Sequence, residues 1–128
     1  MLKGDTIMNE PELYWYKAKI TRVVDGDTFD AMIDLGFKMI AIKRIRLACV
    51  DTPETYGVKQ ESEEYKKGKE ATEFVIDWFN SLSNEVYLRT EKEQGKYGRY
   101  IAHVWNSDRT ENLGDVMVEK GLAEKKEY

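Results

Sequence analysis

Asp25-Gly26-Asp27 stands between two runs in which apolar and polar residues alternate, and no other feature of the chain restricts the fold so strongly. From Tyr14 to Val24, Ala18, Ile20 and Val24 alternate with Lys17, Lys19 and Thr21. From Thr28 to Leu35, Phe29, Ala31 and Ile33 alternate with Thr28, Asp30 and Asp34. A period of two marks a strand with one face on a core. An Asp-Gly pair between two such runs signals a hairpin, because glycine takes positive φ without steric cost. The chain therefore begins its fold as an antiparallel sheet, one face of which later segments must cover.

The rest of the sequence extends that sheet. Gly36 turns the chain into a third strand, expected over Phe37 to Val50, after which Pro53 forbids a further ladder bond and stiffens the turn. Thr55 to Lys67 is polar and irregular and reads as a surface loop. Ala71, Phe74, Val75, Trp78, Phe79 and Leu82 then recur at helical spacing opposite Lys69, Glu70, Glu73 and Asp77, which makes the aromatic stripe core rather than a cofactor box. Glu85 to Thr90 and Arg99 to Trp105 are strands joined by a loop over Glu91 to Gly98. Leu113 to Lys120 is a short helix ended by Gly121. Five strands with these helices predict an α+β fold, a five-stranded Greek-key barrel of the OB type with two to three helices. Residues 1–13 read as a polar tail and residues 14–128 as one domain, the most a chain of 128 residues is expected to build.

Composition narrows the function classes. A net charge of −4, from 20 Lys+Arg against 24 Asp+Glu, argues against broad non-specific binding to nucleic acid, which needs surplus cations, and leaves room only for a local basic face. The single cysteine, Cys49, excludes an internal disulfide, and its apolar neighbours suggest a buried strand thiol. No apolar leader or membrane-length run is present, so the expectation is a cytoplasmic protein, or one whose export signal has been removed, without a membrane partner; a monomer is the default.

Chemistry concentrates between Arg44 and Glu54, where two arginines on one strand face run into Asp51-Thr52-Pro53-Glu54. An arginine beside two acids is, in isolation, more often a solvated ion pair than a catalytic site. Arg44 is expected to face solvent or to touch a phosphate. Asp25 is expected to serve the hairpin, and His103, the only histidine, to be an ordinary strand-face residue.

Asp25-Gly-Asp27-Thr28, Arg46-Leu-Ala-Cys-Val-Asp51-Thr-Pro-Glu54-Thr55 and Lys96-Tyr-Gly-Arg99, taken in this order with the closing Gly121-Leu-Ala123, resemble the staphylococcal (thermonuclease) nuclease family over Lys17 to Ala123. The resemblance implies an OB-fold nuclease that hydrolyses DNA and RNA, in single-stranded or unpaired regions, with Ca²⁺ as cofactor and 3′-phosphate products. It implies Asp27, Asp51 and the Thr52 carbonyl as metal ligands, Glu54 as the residue that positions or deprotonates water, Arg46 and Arg99 as phosphate contacts, and Lys96 and Tyr97 as substrate contacts. The chemistry agrees with that set. Ca²⁺ prefers several hard oxygens in a loose shell, and guanidinium groups match two phosphate oxygens at once. A catalytically silent OB module that binds single strands or a protein partner is the alternative.

Overall fold

The computed structural model describes residues 14–53, 62–91 and 100–126. Five strands close a barrel: β1 (Trp15–Asp25), β2 (Thr28–Asp34), β3 (Ile40–Leu47), β5 (Glu85–Thr90) and β6 (Tyr100–Trp105), in the order β1-β2-β3-β6-β5, with β5 returning to β1. All pairings are antiparallel except β3 with β6, which run parallel. A short ribbon pairs β4 (Val50–Asp51) with β7 (Glu124–Lys125). Helices α1 (Glu63–Ser81) and α2 (Leu113–Glu119) complete an OB-type α+β fold. None of the described helices is long and apolar enough to cross a membrane.

The alternation seen in the first two runs becomes the barrel interior. Ala18, Ile20, Phe29, Ala31 and Ile33 are buried together with Ile45, Leu47, Val86, Leu88, Ala102 and Val104. Helix α1 lays Ala71, Val75, Trp78 and Phe79 on that core, and the Phe79 ring meets Phe29 edge-on at 5.4 Å between centroids. A hydrogen bond of 2.7 Å from the Trp78 indole N–H to Glu111 Oε1 ties α1 to the segment before α2.

Three expectations change. The third strand does not run unbroken from Phe37 to Val50. Gly36, Phe37 and Lys38 all take positive φ in a turn closed by Met39 N–H donating to the Gly36 carbonyl, and Cys49 at φ 63° separates β3 from β4. The apolar content of this stretch hid the break, because Phe37, Met39, Ile40 and Ile42 are exposed rather than core. Cys49 is consequently a half-buried turn residue and not a buried strand thiol. Helix α1 also begins within the stretch read as loop. Ser62 caps it by accepting from Tyr65 N–H at 3.1 Å, and Glu63 and Glu64 suit the positive end of the helix. Its first turn buries nothing before Gly68, so no apolar stripe announced it.

Candidate active site

The β1–β2 hairpin and the turn after β3 converge on Arg46. Its side chain is only 6% exposed and leaves β3 on the same face as Arg44. Nη1 donates to the carbonyls of Leu47 (2.7 Å) and Val50 (2.9 Å), which fixes the turn leading into β4. Nη2 reaches Asp51 Oδ1 at 3.1 Å and lies 3.4 Å from Asp27 Oδ2. One buried cation thus holds two carboxylates that arrive on different segments. A buried guanidinium needs such partners, because removing it from water costs several kcal/mol unless it is paired and hydrogen-bonded.

Asp27 is itself buried and engaged on both oxygens. Oδ1 accepts from Thr28 Oγ1 at 3.1 Å, and Oδ2 accepts from Thr52 N–H at 3.1 Å. The Asp27 carbonyl accepts from Leu47 N–H at 2.8 Å, so the hairpin and the end of β3 are sewn together twice. Burial alone would raise the Asp27 pKa. A hydrogen bond from Asp25, the charge of Arg46 and the Thr52 contacts outweigh it, and the pKa falls below the ordinary carboxylate value. Asp25 behaves oppositely: burial and the neighbouring Asp27 push it up to about 6, although its Oδ1 also accepts Asp27 N–H at 3.1 Å.

Gly26 fits between these groups for a reason other than the one its Asp-Gly context suggests. Its φ is not positive. An added Cβ would lie 3.0 Å from Thr52 Cγ2 and Oγ1 and 3.1 Å from Ala71 Cβ, so the residue is small because the Thr52 turn and α1 both press on the hairpin.

The structure therefore brings together Arg46, Asp27, Asp51 and Thr52. Glu54, Lys96, Tyr97 and Arg99 lie outside the described residues, as do the N-terminal tail and Tyr128. Beside Asp51, Thr52 and Pro53 opens a cleft of about 450 Å³, with Glu63, Glu64 and Lys67 of α1 on one wall and Gly121 to Glu124 on another. Among the described residues no three His, Cys, Asp or Glu side chains close into a metal cage. The two carboxylates that meet at Arg46, Asp27 and Asp51, are hard-oxygen groups of the type a hard cation prefers. Arg44, by contrast, forms an exposed pair with Asp30, at 2.8 Å through Nε and 3.2 Å through Nη2. His103 Nε2 lies 3.0 Å from Glu91 Oε1 on the barrel exterior, as a strand-face residue. Sequence reasoning gave Asp25 only a turn role; its one signal was a second carboxylate two residues from Asp27.

A family model described as Staphylococcal nuclease homologue matches residues 44–128. That span includes Arg46, Asp51 and Thr52, whereas Asp27 precedes it and is joined to them by the contacts above. Among curated proteins, a thermonuclease of Staphylococcus intermedius is 39% identical over 111 residues, covering 85% of this chain and 59% of that protein. A micrococcal nuclease of Shigella flexneri is 27% identical over 124 residues, covering 91% and 62%. An uncharacterized protein of Bacillus anthracis is 31% identical over 112 residues, covering 81% and 49%. In each case the chain spans less than two thirds of the relative's length.

Proposed function

The chain belongs to the staphylococcal nuclease homologue family, and from that premise we propose that it is a Ca²⁺-dependent nuclease cutting DNA and RNA in single-stranded or unpaired regions. The observation that supports this reading is the clamp of Arg46 on Asp27 and Asp51, which brings two carboxylates and a guanidinium together in one place. Asp27, Asp51 and the Thr52 carbonyl would hold Ca²⁺. When bound, the ion would supply positive charge for the phosphate and a coordination position for water.

The protein's own groups would do the rest. Glu54 takes a proton from the attacking water, whose oxygen bonds to phosphorus as the bond to the 5′ oxygen breaks. One product keeps a 3′-phosphate, and the departing 5′ oxygen takes up a proton from solvent to leave a 5′-hydroxyl on the other. Arg46 and Arg99 offset charge on the phosphate oxygens, with Lys96 and Tyr97 holding the strand alongside. In comparable sites an arginine contributes about 10³ to 10⁵ in rate and a general base about 10² to 10⁴. Arg46 has a further duty, since without it Asp27 and Asp51 lose the group that sets their spacing.

The test is release of acid-soluble nucleotide from heat-denatured DNA, with Ca²⁺ and with chelator, for the unmodified protein and Glu54→Gln. Calcium-dependent release that falls at least about a hundredfold in the variant is expected. No release by the unmodified protein at any Ca²⁺ concentration would leave the fold as a silent binding module.

A further inference from the structure

We propose that the outer face of β1, β5 and β6 is a binding track for single-stranded polynucleotide, which continues the substrate path away from the Arg46 site. The inference rests on the nuclease reading above and adds a second region of contact to it. Side chains that alternate outward on these strands fall into rows. Trp15 is opposite Arg89, and Arg89 is opposite His103; Lys17 is opposite Tyr87, and Tyr87 is opposite Trp105. The rows therefore interleave two tryptophans and a tyrosine with lysine, arginine and histidine. On a chain of net charge −4, these rows set cations beside aromatic rings, while Glu85 stands opposite Lys19 and Asp115 and Glu119 of α2 line a pocket with His103.

The cluster is preassembled. Trp15 and Trp105 meet at 5.9 Å between centroids. Arg89 and Arg109 both stand over the Trp15 ring, at 5.4 and 4.8 Å. Both arginines are exposed, and a guanidinium held over a ring has already lost part of the side-chain freedom that phosphate binding would otherwise remove. The Trp15 Nε1–H is buried with no hydrogen-bond partner, the only such side-chain atom among the described residues. A shallow pocket of about 280 Å³ lies among Trp15, Arg89, Thr90, Glu91, His103 and Trp105. The carboxylate within it, Glu91, is engaged by His103, and Asp108 precedes Arg109 in the chain.

Continuity with the site selects the ligand. Ile101 is the register partner of Arg46, and His103 and Trp105 follow it on the same outward face of β6. At the rise of a strand they lie about 7 and 13 Å further on. A polyanion with π-faced bases suits alternating guanidinium groups and rings, whereas an acidic peptide would use the cations and leave the rings without a role.

The experiment compares the unmodified protein with the double variant Arg89→Gln/Arg109→Gln, and with Arg89→Lys/Arg109→Lys as the charge-conserving control. The first readout is the ratio of kcat/KM on a long single strand to that on a dinucleotide. It should fall roughly tenfold in the glutamine variant, the scale of losing charge-assisted contacts, and recover in part with lysine. The second is binding of a fluorescent oligonucleotide in chelator as a function of salt, where the log–log slope should shrink by about 1.4 for two lost phosphate contacts. An unchanged ratio and slope, in a protein that does cleave, would overturn the track alone. Binding without cleavage would overturn the nuclease reading while the slope still decided the track. Neither binding nor cleavage would overturn both.

Discussion

Arg44 and Arg46 are two residues apart on one face of β3, yet they occupy opposite physical regimes. Arg44 lies in solvent against Asp30, and each group raises the other's tendency to stay charged: the Arg44 pKa goes up and the Asp30 pKa goes down. Arg46 is covered by the turn it organises and donates to two carbonyls and a carboxylate. The difference lies in what the neighbouring segments bring. Opposite Arg44, β2 supplies one half-buried acid. Around Arg46 the hairpin and the β3–β4 turn both arrive, and α1 presses on the hairpin at Gly26, so a surface position becomes an interior one. An ion pair is inexpensive to lose in the first setting and structural in the second.

Four substitutions sharpen or break this contrast. The largest effect should come from Arg46→Met, which leaves Asp27 buried without its cation. A loss of about 3–5 kcal/mol in urea unfolding is expected, together with loss of nuclease activity. If stability stays within error, the clamp is not what holds the turn. Next is Gly26→Ala, where the new methyl meets Thr52 and Ala71. Overpacking there should cost about 1–3 kcal/mol. A neutral result would show that the Thr52 turn yields freely and that the site is softer than its contacts suggest.

The third prediction concerns pH and uses chelated protein. Asp25 has a folded pKa of about 6 against an ordinary 3.8, so between those values the folded state binds the extra proton. Its contribution to stability is therefore present at low pH and lost as pH rises from about 4 to about 6. Asp27 has the opposite sign: its pKa is lowered, so its contribution is present above the ordinary carboxylate value and lost as pH falls through its folded pKa. Asp25→Asn should flatten the decline between pH 4 and 6 and spare the acid limb. A profile identical to that of the unmodified protein would remove Asp25 from the electrostatics of the site. Smallest of all is Arg44→Ala, which should leave the urea midpoint unchanged, since its pair with Asp30 is exposed. A clear shift there would erase the distinction between the two arginines.

The sequence carried the barrel well because its inward residues keep a strict period of two, as in Phe29, Ala31 and Ile33, and a period is visible without knowing the partner strand. It misled where apolar residues are not buried. Phe37, Met39 and Ile40 looked like strand core and instead lie exposed in and beside a turn, since nothing in the composition records three successive positive φ values. The first turns of α1 were missed for the converse reason: a polar helix start that buries nothing shows only in its Ser62 cap. At the site, the residue types were readable, and Asp27, Asp51 and Arg46 do come into contact. The depth of burial was not readable. That Arg46 donates to backbone carbonyls, that Asp25 is pushed toward neutrality and that Gly26 is retained for space all depend on three segments packing in one place.

The ribbon between β4 and β7 sets an order on how this molecule comes into being. Asp51 pairs with Glu124, and Lys126 N–H donates to the Cys49 carbonyl, so the turn bearing Asp51 gains its last partners only after the barrel strands and both helices have been made. A nascent chain still short of residue 124 has those strands but not the edge that braces this turn.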